Sequence, residues 1–125
     1  MVIGIGTDLI DIDRIEKTLA RHSGFKNKLF SLREQEMLTE KHWRSETAAA
    51  NFAGKEAVLK VFGTGLRGCK WTEIEILRDA LGRPYVVLSG GALKISETLN
   101  IDEVLISLAH SKNQAIAYAI GIRRA

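Results

Sequence analysis

Glu56, Lys60 and Gly63 stand at i, i+4 and i+7 in the run NFAGKEAVLKVFGTG, so on a helix they fall within about 60° of one another and form one stripe. A carboxylate, a lysine and the loop Gly63-Thr64-Gly65 in line suit a ligand with phosphates. Such a loop lets backbone N–H groups approach without side-chain bulk. Mg²⁺ takes one or two carboxylates together with phosphate oxygens and waters, and Asp8, placed where the run Val2–Gly6 stops, would supply the second carboxylate. The plainer reading of the same stripe is a Glu-to-Lys helix pair worth ~0.2–0.5 kcal/mol, and spacing alone favours it. Asp8 by itself reads equally as a turn former or a helix cap.

His110 shares parity with Val104, Ile106 and Leu108. It is either a satisfied core histidine or a ring that emerges at the sheet rim, where its N–H can donate to a phosphate or ribose, with Lys112 beside it. His22, His42 and the single Cys69 make no metal-ligand spacing. Neither a GxSxG elbow nor a Cys/His constellation is present, so covalent catalysis has no support, and Cys69 reads as structural.

The elements that must position these residues follow from periodicity. Val2–Gly6 alternates branched and small residues and reads as a strand running into a turn at Thr7 and Asp8. From Asp11 the period becomes helical: Ile12, Ile15 and Leu19 form an apolar stripe, Arg14, Lys17 and Arg21 share the opposite face, and Gly24 ends the segment. Ser31 with Glu34 is a capping box opening a helix to about Glu40. A longer helix runs from Ser45 to a stop at Gly63 and Gly65, and Gly54 inside it implies a close neighbour, since glycine there costs ~1 kcal/mol against alanine. Ile74 and Ile76 alternate with glutamates, residues 79–84 make a connection, and Tyr85–Leu88 returns, a hairpin-like unit. Ser89–Leu99 reads as a helix, then Val104–His110 and Gln114–Ile122 as two strands around a turn at 111–113. The order predicts an α+β fold, helices packed on a mostly antiparallel sheet, in one domain over residues 1–125.

Composition bounds the function classes. A chain of 125 residues buries about two-thirds of its unfolded surface, enough for a core without staples. At 46% hydrophobic, 26% charged and one proline it is neither a disordered tail nor a linker. The longest apolar run, Ala115–Ile120, is far short of the ~20 residues of a bilayer span. The first thirteen residues hold three aspartates and no cation, the reverse of a secretory start, so a cytoplasmic protein is expected. The net charge of +3 hides an asymmetry: residues 14–33 carry +5 and the remainder −2. That field implies an acidic or polyanionic partner, unless it is simply a solvated helix face. Nucleic acid is not expected, because the basic stretch offers only Phe25 and Phe30 as aromatic platforms, and both read as core.

GIGTDLIDIDRIE at 4–16, NFAGKEAVLKVFGTG at 51–65, GRPY at 82–85 and SLAHSK at 107–112 together resemble the holo-acyl-carrier-protein synthases, the short class of 4′-phosphopantetheinyl transferases, over nearly the whole chain. The weakest match lies between about Arg33 and Ala50. The resemblance implies transfer of the 4′-phosphopantetheine arm of coenzyme A to a serine of apo acyl carrier protein, with Mg²⁺ and release of adenosine 3′,5′-bisphosphate, in fatty acid biosynthesis. By the same resemblance Asp8 and Glu56 match the metal-binding carboxylates and Lys60 the lysine near the reacting phosphate. Gly63, Thr64 and Gly65 match the diphosphate loop, Arg83 and Pro84 the adenine-side turn, and His110 a nucleotide contact. Arg14, Lys17 and Arg21 match the helix that holds the acidic carrier protein. It also implies a homotrimer with a site at each subunit boundary, although no apolar surface stripe in the sequence is clear enough to mark an interface.

Three positions depart from the family pattern: Asn51 where many relatives carry a basic residue, SLAHSK for a SISH-type run, and Gly54 for a frequent alanine. Asn51 removes one expected phosphate contact. An active enzyme is still expected, with Glu56, directly or through a water, taking the serine proton. Glu34 is accounted for by its cap.

Overall fold

The computed structural model describes residues 1–124. Ten elements follow in chain order: β1 (Val2–Asp11), α1 (Ile12–Arg21), α2 (Phe25–Leu29), α3 (Leu32–Glu40), α4 (Ser45–Phe62), β2 (Ile74–Arg78), β3 (Pro84–Leu88), α5 (Gly90–Thr98), β4 (Glu103–His110) and β5 (Gln114–Ile122). A short 3₁₀ turn, Trp71–Glu73, leads into β2. The α+β expectation holds, with one revision. The five strands form two antiparallel sheets, a three-stranded one in the order β1-β5-β4 and the separate hairpin β2-β3.

The first strand corrects the expected turn at Asp8. β1 continues to Asp11 because Leu9 and Ile10 extend its ladder, with Asp8 opposite Ala117 and Asp11 opposite Gln114. Gly4, Gly6 and Asp8 share one face of β1 by strand parity, and that face meets α4. A Cβ on Gly6 would lie 2.0 Å from the Ala57 carbonyl oxygen, and one on Gly4 2.8 Å from that of Val61. The two glycines therefore let helix and strand backbones touch, which brings Asp8 beside the last turns of α4. Gly6→Ala is expected to lower stability by about 3 kcal/mol, the upper range for overpacking, since backbone rather than a flexible side chain would have to move. The shift of the urea midpoint at constant slope measures it.

Helix α4 is the centre of the molecule. Ala53, Ala57, Val58, Val61 and Phe62 are buried against Ile74, Ile76, Val104, Ala117 and Ala119. Gly54 has its predicted close neighbour: an added Cβ would meet Ile106 Cδ1 at 3.0 Å and Ile76 Cγ1 at 3.3 Å. Ile12 and Ile15 of α1 pack on Ala49 and Ala50, with Leu19 half-buried at the end of the same stripe. The α2 turn went unforeseen, because five residues are too few to show a period; its Leu29 is buried with Phe30, Leu38 and Ala48.

Among the described residues nothing covers the opposite face of the three-stranded sheet. Ile5 pairs with Ile120, which pairs with Leu105, and Thr7 pairs with Tyr118, which pairs with Ser107. Ile5 is 72% exposed, Leu9 57%, Tyr118 57% and Leu105 42%, so this face carries the apolar stripe that the sequence did not make visible. Among the described residues no helix is long and apolar enough to cross a membrane.

Candidate functional site

The stripe on α4 and the aspartate on β1 do come together. Lys60 Nζ donates to Asp8 Oδ1 at 3.2 Å and to the Thr7 carbonyl at 2.8 Å. A lysine ammonium has three donors, so one remains for a ligand. Glu56 is half-buried one turn before Lys60. Burial pushes its carboxyl above the ordinary range, the charge of Asp8 adds to the rise, and Lys60 opposes it. Two carboxylates that repel one another, with a lysine paired to Asp8 alone, make a site short of positive charge, which a divalent cation would relieve. Among the described residues no group of three or more His, Cys, Asp and Glu side chains could hold a metal. The pair therefore does not fit an ion caged entirely by protein, and fits one that completes its shell with phosphate oxygens and water, as Mg²⁺ does.

At the end of α4, Gly63 (φ 75°) and Gly65 (φ 61°) both adopt the left-handed conformation, and the space around them is open. Backbone conformation, not crowding, demands glycine there. The Gly63 N–H is already used, since it closes the helix on the Leu59 carbonyl at 2.9 Å. Thr64 is exposed and its hydroxyl donates to the Gly65 carbonyl at 3.3 Å.

The other predicted residues sit elsewhere. His110 emerges exposed at the end of β4, the rim alternative of the two. It lines a cleft of about 230 Å³ with Pro84, Gly82, Arg78, Lys41 and the α4 residues Glu46, Thr47 and Ala50. Arg83 projects on the other side of its turn, into a cleft shared with Pro84, Tyr85 and Glu103. Asp79 builds that turn, its Oδ1 accepting from the N–H groups of Leu81 and Arg83, with Gly82 at φ 85°. Ala50 and Thr47 lie roughly 80–180° around α4 from Glu56 and Lys60, and about 9–20 Å earlier along its axis. The acidic pair and the His110 cleft thus lie at different levels of one helix, the pair toward its end and the cleft beside its first turns.

Arg14, Lys17 and Arg21 are exposed along α1 and line an open cleft of about 720 Å³ with Lys112. Lys17 spends part of its charge on Asp13, at 3.0 Å, whereas Arg14 and Arg21 have no acidic partner within 4 Å among the described residues. Burial pushes the Cys69 thiol up, which suits its structural reading.

Sequence reasoning missed a buried polar network behind α4. Glu34 does cap α3 through Ser31, but it is also wholly buried: Oε1 accepts from Lys55 Nζ at 2.5 Å, and Oε2 from the Ile76 N–H at 3.1 Å and from Asn51 at 3.2 Å. Lys55, equally buried, also donates to the carbonyls of Trp71 and Ile74. Burial pushes Glu34 up and Lys55 down from their ordinary values, and their mutual attraction opposes both shifts. The available signal was position: Lys55 falls seven residues from both Ala48 and Phe62, on the apolar side of α4. Asn51 is buried too, and its Oδ1 accepts from Arg78 at 2.8 Å.

A family model described as the 4′-phosphopantetheinyl transferase superfamily matches residues 4–119. The holo-[acyl-carrier-protein] synthase of Alkaliphilus oremlandii is 46% identical over 122 residues, covering 98% of this chain and 100% of the relative. The crystal structure of holo-[acyl-carrier-protein] synthase from Neisseria meningitidis superposes with a TM-score of 0.89 at 28% identity, over 98% of this chain and 100% of the other. The Helicobacter pylori enzyme in complex with coenzyme A superposes at 0.82 with 28% identity, over 94% and 99%.

Proposed function

The chain belongs to the 4′-phosphopantetheinyl transferase superfamily, among its holo-[acyl-carrier-protein] synthases, and from that membership we propose the roles of its residues in moving the phosphopantetheine arm of coenzyme A to a serine of apo acyl carrier protein. The observation that carries the reading is the convergence of Asp8, Glu56 and Lys60 at the seam between β1 and α4. Asp8 and Glu56 would hold Mg²⁺, which when bound neutralises the diphosphate of coenzyme A.

The serine oxygen attacks the phosphorus joined to pantetheine. A new P–O bond forms, the bond to the bridging oxygen of the diphosphate breaks, and adenosine 3′,5′-bisphosphate leaves with that oxygen. Glu56, its carboxyl held above the ordinary range by burial and by Asp8, takes the serine proton. Lys60, held over Asp8 and the Thr7 carbonyl, turns its third N–H to the departing phosphate, so its charge stands where negative charge grows. Gly63, Thr64 and Gly65 leave room for the diphosphate, and Arg83, Pro84 and His110 bind the nucleotide end.

Because the two halves are separated by about 9–20 Å along α4, we assign a complete site to the boundary between copies, as in the homotrimer expected from the resemblance. The uncovered apolar face of β1, β5 and β4 supports such an assembly. The holo carrier protein would serve fatty acid biosynthesis in the cytoplasm.

Purified chain, coenzyme A, Mg²⁺ and apo carrier protein are mixed and the carrier is weighed intact. Gain of the arm (~340 Da from its composition) with chelator-sensitive kinetics supports the reading, and an unchanged mass overturns it. Arg14→Ala with Arg21→Ala is expected to raise KM for carrier protein about tenfold, to flatten its salt dependence and to leave coenzyme A affinity unchanged. Initial rates across a salt series check this.

A further inference from the structure

Position 51 lacks the basic residue that the family resemblance leads one to expect, yet the cleft beside it is not short of positive charge. Arg78, at the end of β2, is half-buried and lines that cleft with Lys41 and His110. Its guanidinium donates to Asn51 Oδ1 at 2.8 Å. The Asn51 amide is fixed in turn, its NH₂ donating to Glu34 Oε2 and to the Ile76 carbonyl at 2.9 Å. Every polar group of Asn51 is thus engaged, and the arginine cannot swing without breaking a buried bond.

Arg78 has no carboxylate within 4 Å among the described residues. Burial lowers its pKa, which Glu34 offsets only at longer range. Glu46 is the one acid lining the cleft, against Arg78, Lys41 and the His110 ring. A cation desolvated, oriented and left without a counter-ion is a receptor for an anion. The planar fork of an arginine suits a terminal phosphate, which it can engage with two N–H groups.

The geometry points to Arg78, held by Asn51, as the residue that recognises the 3′-phosphate of coenzyme A in this chain, in place of the missing basic side chain at 51. This rests on the coenzyme A reading above. Of the three phosphates of that molecule, the reacting diphosphate belongs with Asp8, Glu56 and Lys60, which leaves the ribose 3′-phosphate for the separate cationic cleft beside the first turns of α4. Asn51 is a positioning residue, and Arg78 is the contact.

Transfer kinetics with coenzyme A and with dephospho-coenzyme A, which lacks the 3′-phosphate, test this in the wild-type chain, in Arg78→Gln and in the reciprocal exchange Asn51→Arg with Arg78→Asn. The wild type is expected to show a KM for coenzyme A about tenfold below that for the dephospho form. Arg78→Gln should raise the first about tenfold and leave the second unchanged, so that the preference disappears. The reciprocal exchange should restore most of it. Should Arg78→Gln melt early, Arg78→Met keeps the packed stem, and competition by adenosine 3′,5′-bisphosphate against adenosine 5′-monophosphate reads the same preference without turnover. A variant that folds and keeps the wild-type preference overturns the assignment, as does one that weakens both substrates equally. A wild-type chain that adds no arm from coenzyme A overturns instead the reading on which it rests.

Discussion

Glu56→Gln is expected to lower the rate constant for arm transfer by a factor of about 10²–10⁴ while the chain melts within about 0.5 kcal/mol of wild type. The amide keeps the size and the helical setting of the side chain, so α4 and its packing on β1 stay as they are. It cannot accept a proton and offers a cation only a neutral oxygen. The repulsion between the two carboxylates also goes, which balances whatever Lys60 loses. Single-turnover transfer followed by intact mass, with circular dichroism for folding and a Mg²⁺ titration, separates these effects. Near-normal turnover would remove Glu56 from both proposed roles.

The second large effect is structural. Lys55→Met is expected to destabilise the chain by about 3–5 kcal/mol, because it leaves Glu34 as a buried charge without a partner and strips a donor from the Trp71 and Ile74 carbonyls. Glu34→Gln combined with Lys55→Met should recover part of that loss, since no charge then remains buried. The sign with pH is fixed. The folded pKa of Glu34 lies above its unfolded value, so the folded state holds more protons and stability falls as pH rises between the two. Without Lys55 the pull on that carboxylate disappears and the gap widens. The penalty in the single variant should therefore be smaller at about pH 5 than at about pH 8, read from urea midpoints.

How far the sequence could be read depended on how far apart the cooperating residues lie. The helical stripe of Glu56, Lys60 and Gly63 needed only the helix period, and α4 runs as expected from Ser45 to Phe62. The capping box at Ser31 and Glu34 is equally local, and both of its hydrogen bonds are present. The pairing of Asp8 with that stripe was different: the chemistry of Mg²⁺ suggested it as a second carboxylate, a turn former was equally open, and the family resemblance favoured the first. The Glu34–Lys55–Asn51 network was not legible because α3, α4 and β2 must converge before any of the three is buried. Reading Glu34 as a cap was correct and incomplete. Arg78 was hidden for a similar reason, since its significance depends on Asn51, which belongs to another element.

β1, which carries Asp8, is laddered along its length with β5, residues 114–122, and the Met1 ammonium meets the Arg123 carbonyl at 2.9 Å. During synthesis on the ribosome β1 waits for its partner until the roughly one hundred residues between the two strands have been made. β5 is the middle strand of the order β1-β5-β4, so until it has emerged neither outer strand has its ladder partner and α4 has no sheet to lie on. Pairings so distant along a chain are slow to close. A nascent chain that has not yet made β5 therefore lacks the sheet on which Asp8 is held, and acquires it only when that distant strand closes the ladder.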